Sequence, residues 1–191
     1  MAELDFKLDA APTLGGLDRV IGANRLVECA DMALVSIAIP LGGDTELSAA
    51  LSRAWQIGVP SPTRSNDSGS IRAIRSAPDQ LLLLFPHSGP DAAETVATQL
   101  GDTGYVTDQT DGNVFLEISG PQTAEAMERI CPIDLAPEAF PPGASARTMM
   151  EHLGVWILCL GPQSFLLWSP RSSARSFLHA IETSYHHVTG Q

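Results

Sequence analysis

Two stretches of the chain, residues 78–86 and 162–170, carry the same pattern of a proline, three large apolar residues and a second proline. The apolar run 34–39 and the helical pattern after it recur in the same way from residue 114, again at a spacing of about 80 residues. A repeat of this size is one supersecondary unit, so the pattern predicts two similar units built by duplication. Because few positions match, chance similarity between two ordinary strand–helix units is the alternative.

Local patterns divide the chain and indicate its fold class. Apolar runs bounded by Gly and Pro predict strands, whereas apolar residues spaced i, i+3, i+4 and i+7 predict amphipathic helices. The predicted class is α+β, with two similar units that each pair an antiparallel sheet with helices on one face. The predicted segments are an irregular N-terminal arm at 1–33 with a short helix around 17–26, a first unit at 34–105, a second unit at 106–185 and a C-terminal tail at 186–191.

Composition excludes several classes of partner. The formal net charge is −11, which argues against binding to nucleic acid or to an anionic membrane surface. No apolar run approaches the roughly 20 residues of a membrane-spanning helix, and the acidic start of the chain is unlike a secretory signal. We therefore expect a globular cytoplasmic protein.

No motif of a catalytic, cofactor or metal site stands out. Cys131 and Cys159 lie in apolar or proline-flanked surroundings, and an odd cysteine count without C-x-x-C spacing argues against a disulfide framework. A helix would place His179 about two turns, roughly 10.8 Å, from His186 and His187, too far to share one ion. The sequence therefore predicts no catalytic, cofactor-binding or metal-binding residue in this chain.

The segment 131–143 contains four prolines, which keep it out of regular helices and strands. One interpretation is a surface loop that packs on its own sheet with Phe140 as its anchor. The other is a docking segment for a partner protein, since aromatic and Arg side chains supply most interface hot spots. The docking interpretation predicts five interface residues, namely Asp134, Leu135, Phe140, Arg147 and Arg171.

Several motifs in the second half of the chain resemble those of a known family. They are Val106–Thr110, Leu116–Pro121, Cys131–Leu135, Phe140–Gly143, Arg147–Thr148 and Ser169–Ser173. Together they resemble the gamma subunit of heterotetrameric sarcosine oxidases, over residues 34–183 and most strongly over 106–173. Related N-methyl amino acid dehydrogenases, such as N-methylglutamate dehydrogenase, use a similar subunit.

The resemblance implies a fold and a division of labour. It implies the folate-binding aminomethyltransferase-type fold and a non-catalytic structural subunit that works with alpha, beta and delta subunits. In such complexes the alpha and beta subunits hold FAD, FMN, NAD and tetrahydrofolate, and the delta subunit binds zinc. An N-methyl amino acid such as sarcosine is oxidatively demethylated, and its one-carbon unit passes to tetrahydrofolate. No cofactor is expected in this chain.

The chain departs from the family at two positions. Ala136 and Glu138 stand where the family usually has His and Arg, which reverses the local charge. The departure leaves open the partner contacts and the N-methylated substrate, and the resemblance does not decide between an oxidase and a dehydrogenase. The alternative function is a free-standing folate-binding or aminomethyltransferase-like protein. The length of the chain disfavours it, because the full aminomethyltransferase architecture has a third domain.

Overall fold

The computed structural model describes residues 11–190, which form two antiparallel sheets and four α-helices. The helices are α1 (Asp44–Trp55), α2 (Ala92–Leu100), α3 (Thr123–Glu128) and α4 (Ala174–Thr189). The strands are β1 (Asp18–Ile21), β2 (Asn24–Glu28), β3 (Met32–Ala38), β4 (Ser65–Ser68), β5 (Ile71–Ala77), β6 (Gln80–Pro86), β7 (Tyr105–Asp108), β8 (Asn113–Ser119), β9 (Ser145–Met150), β10 (Leu153–Gly161) and β11 (Ser164–Pro170).

The two sheets share one strand order. Sheet one runs β4-β5-β6-β3-β7, and sheet two runs β1-β2-β8-β11-β10-β9. When β7 is left out of sheet one, and β1 and β2 are left out of sheet two, the remaining strand orders match. The order β4-β5-β6-β3 of sheet one then corresponds to β9-β10-β11-β8 of sheet two. The repeated segments 78–86 and 162–170 therefore form the equivalent strands β6 and β11. The predicted α+β class with two similar units is confirmed, while close superposition of the units stays a prediction.

Each half of the chain gives its leading strand to the sheet of the other half. Strand β2 directly precedes β3 but pairs with β8, and β7 directly precedes β8 but pairs with β3. Equivalent hydrogen bonds accompany this exchange. The N–H of Gln109 donates to the carbonyl of Leu34 at 2.8 Å, and the N–H of Cys29 donates to that of Phe115 at 3.0 Å. We call β2 and β7 the exchanged strands.

A second reciprocal pair of hydrogen bonds joins the sheets next to β4 and β9. The N–H of Ser65 donates to the carbonyl of Gly143 at 2.8 Å, and the N–H of Ser145 donates to that of Thr63 at 2.9 Å. Between them, Arg64 and Ala144 form an isolated antiparallel bridge. The two halves are thus related by an approximate two-fold axis that passes near this bridge.

Three apolar clusters show that the layers are ordered helix, sheet, sheet, helix. One cluster lies between sheet one and helices α1 and α2, and another between sheet two and helices α3 and α4. The third fills the space between the sheets. In β6, Leu81 and Leu83 point to the helices while Leu82 and Leu84 point to the other sheet. Burial on both faces explains why the central strands have continuous apolar sequences.

Three predicted segment boundaries are wrong. Residues 18–28 form the hairpin β1–β2 instead of an irregular arm or a helix at 17–26, although residues 1–10 of that arm lie outside the described residues. Strand β7 belongs to sheet one, not to the second unit. Helix α4 continues to Thr189, so residues 186–189 are not a tail.

A buried carboxylate explains how the N-terminal segment is ordered. Glu28 is buried, and its side-chain oxygens accept hydrogen bonds at 2.8 Å from the N–H groups of Leu14 and Gly16. Gly15 and Gly16 have φ values of +75° and +73°, which glycine adopts without strain and which let the backbone curve around the carboxylate. The sequence pattern could not show this, because the partners of Glu28 lie in a segment without periodicity.

Candidate partner interface

The proline-rich segment packs against its own chain. Leu135 and Phe140 are both buried, and Phe140 is only 7% exposed. The Phe140 ring lies over Phe165 of β11, with the ring centroids 6.5 Å apart. Both residues belong to the cluster between sheet two and its helices. The docking interpretation is therefore wrong for Leu135 and Phe140, and the structure supports a loop anchored by Phe140.

The length of helix α3 gives the physical reason. Helix α1 covers the outer face of sheet one with 12 residues, whereas its counterpart α3 has only 6. The shorter helix leaves part of the outer face of sheet two without a helical cover. Residues 131–144 lie over this area, with Cys131, Leu135, Phe140 and Ala144 buried.

The three charged residues among the predicted five lie at the surface, in separate local settings. Asp134 forms a local turn, because its Oδ1 accepts a hydrogen bond from the N–H of Ala136 at 3.0 Å. Arg171 has Nη1 3.4 Å from Asp111 Oδ1, and its Nη2 donates to the carbonyl of Ala11 at 3.3 Å. Arg147 lies on the outer strand β9. Within residues 11–190 no hydrogen bond or ion pair joins any two of the five predicted residues.

Arg147 shares a face of sheet two with two residues that sequence analysis missed. It lies opposite Trp156 across the β9–β10 pair, and Met149 lies opposite Gly154. Met149 is 50% exposed, and Trp156 is half-buried. We call Arg147, Met149 and Trp156 the β9 face. Arg, Met and Trp are enriched at protein–protein interfaces, so this face is a candidate contact surface that contains the predicted residue Arg147.

On the same face of sheet two, Trp156 stacks on Trp168 of the neighbouring strand β11. The rings of Trp156 and Trp168 are parallel to within 5°, with their centroids 5.5 Å apart, and Trp168 is buried. By strand register, Trp156 and Trp168 correspond to Arg72 and Leu84 of sheet one. Buried aromatic support holds the exposed face in one conformation, which lowers the entropy lost on binding.

Arg72 and Leu84 of sheet one are the counterparts of the two tryptophans. Beside them a cavity of about 150 Å³ remains between the sheets. Its lining includes Cys29 and Glu117. Burial raises the pKa of the Cys29 thiol to about 11, and the charge of Glu117 adds to this shift. The thiol is therefore protonated near neutral pH and is a poor nucleophile. The cavity is also smaller than the roughly 300–1,000 Å³ that is typical of ligand pockets.

Among residues 11–190, no group of three or more His, Cys, Asp or Glu side chains is placed to hold a metal ion. In that same range, no helix combines the length and the apolar character needed to cross a bilayer.

Comparison with known proteins identifies the family. No protein-family model matches the chain. The sarcosine oxidase subunit gamma of Corynebacterium sp. (strain P-1) is 31% identical over 156 residues, which cover 80% of this chain and 74% of that protein. This chain belongs to the sarcosine oxidase subunit gamma family. The resemblance seen in the second half of the sequence is thereby confirmed.

Solved structures show that this gamma-family chain has a known fold. A chain of the heterotetrameric sarcosine oxidase from Corynebacterium sp. U-96 is similar with a TM-score of 0.77 and 23% identity, over 90% of this chain and 88% of that one. The aminomethyltransferase T of the glycine cleavage system from Bartonella henselae is similar with a TM-score of 0.61 and 15% identity, over 82% of this chain and 44% of that one. The predicted aminomethyltransferase-type fold is confirmed.

The pKa shifts predict that this gamma-family chain becomes less stable at alkaline pH. Burial raises the pKa of the Tyr185 hydroxyl to about 12, and that of Cys29 is raised to about 11. In the unfolded chain both groups lose their protons at lower pH, so rising pH favours unfolding. Their contribution is fully present below about pH 9, and it is lost as the pH rises through about 11 for Cys29 and about 12 for Tyr185.

Urea unfolding between about pH 8 and pH 12 measures this effect. The free energy of unfolding is expected to stay level to about pH 9 and then to fall. The double variant Cys29→Ala, Tyr185→Phe, in which neither side chain titrates, should show a flatter profile. An equally steep fall in the double variant would assign the effect to other groups.

Proposed function

We propose that the chain is a non-catalytic structural subunit of a heterotetrameric sarcosine oxidase-type complex. This complex would oxidatively demethylate an N-methyl amino acid and pass the one-carbon unit to tetrahydrofolate. Membership of the gamma family is the observation that carries the proposal. The fold similarity to a chain of a solved heterotetrameric sarcosine oxidase supports it, because it extends over 90% of this chain and 88% of that one.

The proposal assigns the chemistry to partner subunits in the cytoplasm. Alpha, beta and delta subunits would hold FAD, FMN, NAD, tetrahydrofolate and zinc, and this chain would hold none of them. Membership of the gamma family supports this assignment, because the family resemblance implies that the cofactors are held by the other subunits. Of the predicted interface residues, Asp134, Arg147 and Arg171 keep a proposed role in partner contacts.

A free-standing folate-binding or aminomethyltransferase-like protein is the second candidate. Its support is the fold similarity to aminomethyltransferase T. The matched region is only 44% of that enzyme, whereas 74% of the gamma subunit from strain P-1 is matched. The subunit proposal is therefore favoured, because a larger share of the gamma subunit than of that enzyme is matched.

Co-expression of the chain with its partner subunits tests the proposed function. The chain is expected to co-purify with them in equal amounts, while the chain purified alone should show no flavin absorbance, no folate binding in a titration and no zinc in a metal analysis. Arg147→Glu should weaken co-purification and leave the melting temperature unchanged, because the side chain is exposed on the β9 face. Arg53→Glu is the matched control, since Arg53 is also exposed but lies on α1, outside the β9 face.

Two results would contradict the proposal. Stoichiometric folate or flavin on the isolated chain would favour the second candidate function. Normal flavin content, activity and solution mass of the partner complex, together with no retention of this chain, would rule out a structural role.

A further inference from the structure

Strand β9 is the longest of the strands that end the two sheets. Among the described strands, the sheets end at β4, β7, β1 and β9. The first three have 4 residues each, whereas β9 has 6 and pairs with β10 without a bulge. Proteins keep edge strands short, or break them with proline or a bulge, because an open edge pairs with other chains. Strand β9 has none of these protections.

The backbone of β9 presents hydrogen-bonding groups to its outer side. The N–H of Ser145 points outward, since it donates to the carbonyl of Thr63 in the other half of the chain. Alternate residues of a strand direct their N–H and C=O groups to the same side, so Arg147 and Met149 also present theirs outward. Within residues 11–190 no hydrogen bond reaches these four groups. We call them the β9 edge.

The chain that runs beside the start of β9 turns away before it reaches the β9 edge. Arg64 bridges Ala144, and the residue before it, Thr63, has a φ of +62°, which is rare for a residue other than glycine. Pro62, which precedes Thr63, has no N–H to donate to a neighbouring strand. The pairing that begins at Ser145 therefore ends at Thr63, and the described residues leave the place beside the β9 edge open.

The charge of Arg147 indicates what an added strand would carry. In sheet one, Asp67 and Arg72 occupy the positions that Arg147 and Trp156 occupy in sheet two, and Asp67 Oδ2 lies 3.9 Å from Arg72 Nη2. Among the described residues no carboxylate lies within 4.0 Å of the Arg147 guanidinium. Opposite charges on neighbouring strands stabilise their pairing. A strand beside β9 would therefore pair best with a carboxylate next to Arg147.

A depression on the β9 face indicates a second side chain. Gly154 lies opposite Met149, and a Cβ at Gly154 would meet no other atom within 4 Å. This open space adjoins Trp156, which stacks on the buried Trp168. A large apolar side chain from an added strand would fill the space and cover the exposed part of Met149.

We propose that a partner protein adds a strand to β9 by hydrogen bonds to the β9 edge. The added strand places a carboxylate beside Arg147 and a large apolar side chain over Gly154. With the proposed function, on which this inference rests, the partner is another subunit of the oxidase complex. Main-chain hydrogen bonds supply affinity in this mode of recognition, and alternate side chains supply specificity. A second copy of this chain fits less well, because its own β9 has no carboxylate to place beside Arg147.

A proline at position 149 tests the main-chain contact. Met149→Pro removes one N–H of the β9 edge and leaves the pairing with β10 in place, because that N–H points outward. Met149→Ala is the matched control, since it loses the same side chain and keeps the N–H. Both variants should melt close to the wild type. Binding is measured to the co-purified partner subunits that lack this chain, and Met149→Pro should bind at least about 10-fold more weakly than Met149→Ala.

Hydrogen exchange tests the same contact on the wild-type chain. The amides of Arg147 and Met149 should exchange at least about 10-fold more slowly in the complex than in the isolated chain. The amide of Asp67 is the control, because Asp67 is the counterpart of Arg147 on β4 and its exchange should not change. Equal slowing at Asp67 would indicate general burial and would overturn strand addition.

The remaining outcomes separate the β9 edge from the proposed function. Unchanged exchange at Arg147 and Met149, or equal binding by Met149→Pro and Met149→Ala, would overturn strand addition and leave the proposed function standing. Loss of a homodimer in Met149→Pro would assign the β9 edge to a second copy and overturn the partner subunit. Absence of any binding by the wild-type chain would overturn both the proposed function and the strand addition.

Discussion

Replacement of Phe140 by alanine is expected to lower the unfolding free energy of the isolated chain by about 3–5 kcal/mol. The side chain is buried and its ring packs on Phe165, so the truncation opens a cavity between the proline-rich segment and sheet two. For a chain of this length the loss corresponds to a fall in melting temperature of roughly 6–20 °C. Thermal and urea unfolding of the purified chain measure it.

Tyr105→Ala is the control for the Phe140 experiment. Tyr105 is also aromatic but is 70% exposed, so its truncation should change the unfolding free energy by less than about 1 kcal/mol. The outcome that contradicts the structure is a Phe140→Ala chain that melts as the wild type does and yet fails to bind its partners. That outcome would make Phe140 a docking residue and not an internal anchor.

Separate expression of the two halves is expected to abolish cooperative folding of each. Fragments 1–103 and 104–191 meet in the short turn between α2 and β7. In isolation the first fragment lacks β7 beside β3, and the second lacks β2 beside β8. Mixing restores both exchanged strands to their sheets. The mixture should therefore elute as a one-to-one complex and unfold in a single transition.

Circular dichroism, size-exclusion chromatography and urea unfolding measure this result. Leu26→Ala in the first fragment should weaken the complex by the equivalent of about 2–5 kcal/mol, because Leu26 is buried in the cluster of sheet two. Arg25→Ala, at an exposed neighbouring position, is the control. A cooperative transition in fragment 104–191 alone would show that the exchanged strands are not needed for folding.

The central strands could be predicted from sequence because their signal is local. Strand β6 is apolar at consecutive positions and ends at Pro86, and β11 repeats that pattern. The hairpin β1–β2 has no such signal. Its buried residues include Ile21 and Leu26, but charged residues stand among them, and the partner strand β8 lies about 90 residues further along the chain. A pairing at that sequence distance leaves no periodic pattern to detect.

The candidate interface also has one part that the sequence could predict and another that depends on the folded structure. The docking interpretation pointed to Arg147, but Met149 and Trp156 join it only once the pairing of β9 with β10 is known. Phe140 was assigned to an interface because its proline-rich surroundings exclude regular structure. Its true position depends on the length of α3, since a helix as long as α1 would cover the same area of the sheet.

The reciprocal hydrogen bonds beside Arg64 and Ala144 have the arrangement of a symmetric dimer interface. Two separate copies of one ancestral unit, each lending its leading strand to the other, would make the same bonds. In such a dimer every surface feature occurs twice, and any mutation changes both copies. Joining the copies into one gene removes that constraint. In this single chain the two halves do differ, because among the described strands β1 extends sheet two and has no equivalent in sheet one, so the surface of the molecule is not symmetric.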